Sequence, residues 1–138
     1  MIVIVATDDK QGMMFNNRRQ SKDSELRKDI LCEVGKCKLW LNAYSFGQFE
    51  EELEKNVCVA EDFVDKAGAR EYCFVENLSL QEYEERIEEL ILYKWNRVYP
   101  SDLKFDIDLS SESWQMASTV DFVGSSHDKI TKEVWKRV

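Results

Sequence analysis

Apolar blocks alternate with amphipathic blocks along the chain, and this order predicts strands and helices in turn. Residues 1–6 are an unbroken apolar and β-branched run, typical of a central strand covered on both faces, and polar residues 8–22 follow it. Four shorter apolar runs predict further strands, at residues 38–44, 56–60, 71–76 and 89–95. Three segments with apolar residues at helical spacing predict helices, at residues 23–31, 45–55 and 79–90.

The end of the chain has a different pattern. Residues 114–123 and 129–138 predict two strands joined by the turn GSSHD, which gives an antiparallel hairpin. The whole order predicts an α/β fold of three layers. A mostly parallel central sheet has helices on both faces and ends in this hairpin. No linker rich in glycine, serine or proline interrupts the 138 residues, so we expect a single domain.

The segment at residues 79–90 has the clearest helical pattern. Its inward positions share helical spacing and are apolar or aromatic: Leu80, Tyr83, Ile87 and Leu90. Ser79 with Glu82, and Ser45 with Gln48, match the capping box, in which two side chains satisfy the first N–H groups of a helix. The capping side chains occupy the N–H groups that an anion at this helix N-terminus would bind. We therefore expect no phosphate site at the turn before residue 79.

Charge and targeting signals limit the function. A net charge of −8 opposes binding to nucleic acid, and the longest basic cluster is Arg18 with Arg19. No apolar run is long enough to cross a membrane, and the apolar start lacks the basic residues of a signal peptide. These observations predict a cytoplasmic protein with no membrane and no nucleic-acid partner.

Metal and nucleophile chemistry also has little support in the sequence. The four cysteines are expected to be reduced, small apolar core residues, and their closest pair is Cys32 and Cys37 with no second pair to complete a zinc site. His127 is the only histidine. That argues against multi-histidine metal hydrolases and against a serine–histidine pair. We predict no metal site.

Several segments, taken in order, resemble a known family. MIVIVATDDKQGMMFNN has an apolar strand, an alanine and an acidic turn, and KLWLNAYSFGQF, EYCFVENLSLQEY and ELILYKW follow it. The most specific piece is Asp102-x-x-Phe105 with Trp114 after it. Over nearly the whole chain this order resembles dihydrofolate reductase in a shortened form. The resemblance implies that family's fold and, where its activity is kept, NADPH and a pterin-like substrate.

The resemblance also implies positions for a ligand site. Seven residues stand at positions that lie near the cofactor or the substrate in that family: Ala6, Met13, Asn17, Tyr44, Ser45, Asn77 and Tyr93. The substrate-binding acid falls at Leu26, so Asp23 and Glu25 are the catalytic candidates only if the protein is a reductase. Asp23 is also a candidate for the N-cap of the first helix, and Glu25 is expected to be exposed.

Other family positions are changed in ways that oppose cofactor binding. Ala43 stands where an arginine serves the cofactor phosphates, and Asn42 stands where the family has a glycine. Glu76 and Asn77 replace a glycine pair, so their side chains block the approach of pyrophosphate and Glu76 repels it. Loss of the arginine alone removes a contact of about 1.5–3 kcal/mol.

Two hypotheses follow from these changes. In the first, the protein has no bound cofactor, lacks standard folate reductase chemistry and acts as a binding or regulatory module for a small molecule or a protein. In the second, it is an NADPH-dependent reductase of a pterin-like or other heteroaromatic substrate, with Arg18, Arg19 or Arg97 near the phosphates. The sequence allows a homodimer through the terminal hairpin or an edge strand.

Overall fold

The structure is a computed structural model that describes residues 1–49 and 56–138. Its strands are β1 (Ile2–Thr7), β2 (Gly12–Phe15), β3 (Arg18–Arg19), β4 (Leu39–Leu41), β5 (Val57–Val59), β6 (Tyr72–Phe74), β7 (Glu89–Lys94), β8 (Leu103–Lys104), β9 (Trp114–Phe122) and β10 (Ile130–Arg137). Its helices are α1 (Ser24–Val34), α2 (Ala43–Phe46) and α3 (Phe63–Lys66), with 3₁₀ helices at Gly47–Phe49 and Gln81–Arg86.

Seven strands form the central sheet in the order β5-β4-β6-β1-β7-β10-β9. The five strands from β5 to β7 are parallel, and β10 pairs antiparallel with both β7 and β9. This arrangement confirms the predicted fold class, including the terminal hairpin. β1 lies in the middle of the sheet, where its unbroken apolar run is buried on both faces.

Successive side chains of β1 point into two different cores. Ile2 and Ile4 pack with Leu26 and Ile30 of α1 on one face. Val3 and Val5 face the other core, which also contains residues of β2, α3 and the segment after β6. The sheet therefore has covering layers on both faces, as the alternation of strands and helices predicted.

A second, small sheet lies beside the central one, in the order β3-β2-β8. The turn between β2 and β3 consists of Asn16 and Asn17, with φ of 56° and 61°. Asparagine tolerates this left-handed conformation better than most residues, and two such residues suit a tight hairpin. The hairpin brings Arg18 and Arg19 back beside β2. The pattern of residues 8–22 did not predict these strands, because each has only two to four residues.

The predicted helix at residues 79–90 is wrong. The segment instead forms a 3₁₀ helix at Gln81–Arg86 and then enters β7. Asp106 holds its start, since its carboxylate accepts hydrogen bonds from Ser79 Oγ and from Leu80 N at 2.9 Å. The N-terminal ammonium binds Glu88 Oε2 at 2.6 Å near the other end. The N-cap of this 3₁₀ helix is Leu80 and its side chain forms no capping hydrogen bond, so the predicted capping box of Ser79 and Glu82 does not form.

The region after β4 also differs from the prediction. The strand ends at Leu41, and Asn42 is the N-cap of α2, with its Oδ1 accepting a hydrogen bond from Ser45 N at 3.0 Å. Ser45 is therefore inside a helix and is not its cap, so the predicted capping box with Gln48 is wrong. The rest of the helix predicted at residues 45–55 extends over residues 50–55, which lie outside the described residues.

The cysteines are only in part the core residues that the sequence predicted. Cys73 is buried, and burial raises the pKa of its thiol to about 12. Cys58 is half-buried, whereas Cys32 and Cys37 are exposed, so the core prediction is wrong for this last pair. Within the described residues, no helix is long and apolar enough to cross a membrane.

Candidate functional site

A cleft lies where β1 and β6 end, and the β2–β3 hairpin covers it. The residues around its cavity come from six parts of the chain: Ala6, Met13, Arg19, Gln20, Ser21, Leu26, Gln48, Phe74, Val75, Glu76 and Trp95. The cavity holds about 10 Å³, which is room for about one water molecule. The cleft is therefore filled almost completely by the protein's own side chains.

An ion pair between Arg19 and Glu76 spans the cleft. Arg19 Nε donates to Glu76 Oε2 at 2.9 Å, and its Nη2 donates to Oε1 at 3.1 Å. Gln48 Nε2 also donates to Oε2, at 3.2 Å. Glu76 is only 9% exposed, so the pair is largely out of water. This two-point contact ties the β2–β3 hairpin to the turn after β6.

Tyr44 supports the same arginine from the other side. The Arg19 guanidinium lies 4.4 Å from the centre of the Tyr44 ring, and its Nη2 donates to the Tyr44 carbonyl at 3.2 Å. The backbone N–H of Arg19 donates to the Tyr44 hydroxyl at 2.7 Å. Burial alone would lower the pKa of Arg19, but the hydrogen bonds and charge of Glu76 raise it, so the guanidinium stays charged.

The loops after β4 and β6 are also joined directly. Asn42 Nδ2 donates to Asn77 Oδ1 at 2.9 Å. Asn42, Glu76 and Asn77 occupy the three positions where the resemblance places glycines. In this chain their side chains bind other side chains of the site, so the space that glycines would leave open is occupied.

Four of the predicted ligand-binding residues lie at or near the cleft. Ala6 and Met13 line the cavity. Tyr44 packs on the arginine that closes the cleft, and Asn77 follows its glutamate and binds Asn42. The structure brings these four residues together around one feature.

The other three predicted residues lie elsewhere. Asn17 is in the exposed turn between β2 and β3. Ser45 is fully buried, and its Oγ has no hydrogen-bond partner among the described residues. Tyr93 lies beneath α1 in the core, where its hydroxyl donates to Asp29 Oδ2 at 2.5 Å. Burial raises the pKa of Tyr93, and the Asp29 carboxylate adds to this effect.

The two catalytic candidates do not face the cavity. Asp23 is the N-cap of α1, as predicted, and its Oδ1 accepts hydrogen bonds from Glu25 N at 2.9 Å and Leu26 N at 3.3 Å. The Glu25 carboxylate is 44% exposed and pairs with Lys28 at 3.3 Å. Leu26, an apolar residue, lies in the cavity wall at the position where the resemblance places the substrate-binding acid.

A second cluster surrounds His127, next to this cleft. Its Nδ1 lies 2.9 Å from Asp23 Oδ2, and its Nε2 lies 3.0 Å from Ser21 Oγ. The Tyr99 hydroxyl is 3.2 Å from the same Nε2, and the Trp95 ring stacks on the imidazole with centres 4.5 Å apart. The expectation of no serine–histidine pair is therefore wrong. No sequence pattern predicts the pair, because His127 is distant from Ser21 along the chain.

The charge of Asp23 follows from its neighbours. Burial alone would raise the pKa of Asp23, but the Ser126 N–H, the His127 imidazole and the Ser125 N–H outweigh it, so its pKa is well below the usual range. Both backbone N–H groups lie 2.9 Å from the carboxylate. A Cβ on Gly124 would overlap Asp23 Oδ2, so this close approach of the hairpin turn requires glycine.

A basic groove opens to solvent beside the closed cleft. It has a volume of about 490 Å³, and its lining residues are Arg18, Arg19, Ser21, Lys22 and Tyr44. Three of these five side chains are cationic, although the whole protein is acidic. The described residues contain no group of three or more side chains that could hold a metal ion. The groove therefore favours an anionic ligand over a metal.

Comparison with solved structures confirms the fold. The chain is similar to dihydrofolate reductase from Enterococcus faecalis complexed with NADP(H) and RAB-propyl, with a TM-score of 0.69 and 16% sequence identity over 99% of this chain and 95% of that chain. No protein-family model and no curated protein sequence matches the chain. At this identity the similarity establishes the dihydrofolate reductase-like fold alone.

Proposed function

We propose that this protein, built on a dihydrofolate reductase-like fold, lacks standard folate reductase chemistry and acts as a binding or regulatory module. The observation that carries the proposal is the Arg19–Glu76 ion pair across the cleft. The pair supports the proposal because it occupies the cleft beside Ala6, the position that the resemblance places next to the cofactor.

The residues of the cleft do not fit NADPH in this arrangement. Ligand pockets usually have volumes of about 300–1,000 Å³, whereas this cavity holds about 10 Å³. Arg19 binds both oxygens of Glu76, so in this arrangement its charge is not available to a cofactor phosphate. Asn42 and Asn77 fill the space of two further glycines with a hydrogen-bonded pair.

Opening the cleft has a substantial energetic cost. Opening the cleft breaks the hydrogen bonds between Arg19 and Glu76, and a hydrogen bond to a charged group contributes about 1.5–3 kcal/mol. Arg19 is 22% exposed, so the cost here lies toward the lower end of that range. A cofactor would need to recover this free energy from contacts that the chain no longer offers, such as an arginine at Ala43.

The basic groove offers a site that needs no such opening. Arg18 and Lys22 line it, and Tyr44 gives one aromatic wall. A small anionic molecule, or an acidic segment of a partner protein, has the charge that this surface attracts. Because Arg19 belongs to both features, a ligand in the groove also contacts the residue that closes the cleft.

The NADPH-dependent reductase of a pterin-like or other heteroaromatic substrate is the second candidate. The similar Enterococcus faecalis structure is complexed with NADP(H), and Ala6, Met13 and Trp95 line the cleft in this chain. This function requires that the Arg19–Glu76 pair separates, which would free Arg19 to bind a phosphate.

A reductase assay separates the two candidates. Purified protein is mixed with NADPH and either dihydrofolate or other oxidised pterins, and NADPH consumption is followed by absorbance. The Enterococcus faecalis enzyme serves as the positive control. The proposal predicts no turnover above the rate without protein. Saturable NADPH consumption that depends on the pterin would overturn it.

A further inference from the structure

We propose that Ser21 is a nucleophile, with His127 as its general base and Asp23 as the residue that positions the histidine. Ser21 Oγ lies 3.0 Å from His127 Nε2, and His127 Nδ1 lies 2.9 Å from Asp23 Oδ2. A serine, a histidine and an aspartate in this order form the arrangement that activates serine in hydrolases on several unrelated folds. The inference rests on the proposed function in one respect: both assume that the basic groove binds an anionic molecule.

The hydrogen bonds determine which histidine nitrogen is basic. Asp23 is buried and ionised, so its carboxylate only accepts hydrogen bonds, and Nδ1 of a neutral His127 carries the proton that it accepts. Nε2 then has a free lone pair. The Ser21 hydroxyl donates to it at 3.0 Å, and the Tyr99 hydroxyl lies 3.2 Å away. Ser126 Oγ, 3.2 Å from Nδ1, is also 3.2 Å from the same carboxylate.

The surrounding structure holds the imidazole in place. His127 is 4% exposed and stacks on Trp95. Its carbonyl accepts a hydrogen bond from Gly124 N at 2.9 Å, which closes the hairpin turn. A general base that is fixed before the substrate arrives needs little rearrangement in the transition state. The Trp95 ring and the closed hairpin turn fix His127 in this way.

Ser21 also lies where a substrate can reach it. It is half-buried and lines the open basic groove together with Arg18 and Lys22. These cations line the same groove as Ser21 and attract an anionic substrate toward it. We therefore assign the substrate class as carboxylic esters whose acyl part carries a negative charge.

The reaction balances without a cofactor. Ser21 Oγ attacks the ester carbonyl carbon while its proton moves to His127 Nε2. The bond from that carbon to the alcohol oxygen then breaks, and the alcohol leaves with the proton from Nε2. Water attacks the acyl-serine in the same way, which releases the carboxylic acid and restores Ser21.

Labelling with a fluorophosphonate probe tests the nucleophile directly. The intact wild-type protein is incubated with the probe, and peptide mass spectrometry locates the modified residue. We expect one label on Ser21, no label in Ser21→Ala, and about 100-fold slower labelling in His127→Gln. Tyr99→Phe removes the second hydroxyl near Nε2 and should keep the label. Ser110→Ala, at an exposed serine, is the matched control and should label as the wild type does.

The wild-type result is decisive without any variant. An unlabelled wild-type protein, or a label on Tyr99 or another residue, would overturn the nucleophile proposal. An unchanged labelling rate in folded His127→Gln, checked by circular dichroism, would overturn the role of the histidine. In each of these cases the proposed binding function stands, because it depends on the cleft and the groove.

Ester hydrolysis then tests the substrate class. The proposal predicts that the mono-p-nitrophenyl ester of adipic acid, which carries a carboxylate, is hydrolysed at least about tenfold faster than neutral p-nitrophenyl hexanoate, after the rates without protein are subtracted. Arg18→Ala with Lys22→Ala should reduce this preference to near one. An equal rate for both esters in the wild type would overturn the assigned class while the labelled serine stands.

Discussion

At the scale of single residues, Asp23 places a buried carboxylate between two distant parts of the chain. Its Oδ1 caps α1 and also accepts a hydrogen bond from Ser125 N, and its Oδ2 binds Ser126 N and His127 Nδ1. Burial opposes its charge, and the surrounding N–H groups outweigh burial, so its pKa is depressed in the folded state. One residue thus links the start of a helix to the hairpin at the other end of the chain.

This depressed pKa predicts a contribution of Asp23 to acid stability. An unfolded aspartate has a pKa of about 3.9. Below that pH the unfolded chain binds a proton that the folded chain resists, so the stabilisation is complete above about pH 4–5 and is lost as the pH falls toward the folded pKa. Asp23→Asn should lower the free energy of unfolding at pH 7 by about 1–3 kcal/mol.

Urea unfolding of Asp23→Asn and wild-type protein at several pH values measures this effect. The difference between them should shrink as the pH falls below about 4, the usual aspartate pKa. Asp128→Asn, an exposed aspartate next to His127, is the control and should have little effect. A difference for Asp23→Asn that is independent of pH would contradict the assigned charge.

Tyr93 carries a second prediction for a single residue. Its buried hydroxyl donates to Asp29, which also binds Lys132 Nζ at 2.9 Å. Tyr93→Phe should destabilise the fold by about 1–2 kcal/mol. The substitution keeps the buried aromatic ring and removes one hydrogen bond to a charged group. A double-mutant cycle with Asp29→Asn, measured by thermal unfolding, should show coupling between the two residues. Additive effects would count against this contact.

At the scale of elements, the segment before β7 shows how tertiary contacts override local pattern. Leu80, Ile87 and Leu90 have helical spacing and are fully buried, as an amphipathic helix would predict. Residues 75–88 lie between β6 and β7, and within them Leu80 and Ile87 flank the 3₁₀ helix, whereas Leu90 lies in β7. Asp106, far along the chain, holds the residues before this helix by accepting hydrogen bonds from Ser79 and Leu80.

Asp106 should therefore stabilise this segment. Asp106→Ala removes the acceptor of two hydrogen bonds at Ser79 and Leu80, and it should destabilise the protein by about 1–2 kcal/mol. Asp108→Ala is the matched control, because Asp108 is exposed and binds Ser110 close by in sequence. Chemical denaturation of both variants tests this difference. Equal stability of the two would show that Asp106 does not hold this segment.

Much of the fold was predictable from sequence because its signals are local. The buried run of β1, the terminal hairpin and the Asp23 cap each depend on a few consecutive residues. The candidate site was only partly predictable. The resemblance indicated Ala6 and Met13, whereas the contacts of Arg19 with Glu76 and of His127 with Ser21 join distant positions. A single sequence does not indicate which residues far apart along the chain come into contact.

At the scale of the whole molecule, the changed positions act together. Arg19 binds Glu76, and Asn42 binds Asn77, so the β2–β3 hairpin and the loops after β4 and β6 form one closed assembly. Asn42, Glu76 and Asn77 stand at positions where the resemblance places glycines. Their contacts with one another and with Arg19 fill the cleft, which is the central physical reason for the proposed loss of reductase chemistry.

An NADPH titration followed by tryptophan fluorescence tests this account most directly. Trp95 lines the cleft, so a nicotinamide bound there should change its emission, and Trp95→Phe identifies its share of the signal. NADH and inorganic phosphate serve as control ligands. We predict no saturable change up to millimolar NADPH. Saturable binding at low micromolar NADPH that Trp95 reports would contradict the closed cleft and would favour the reductase.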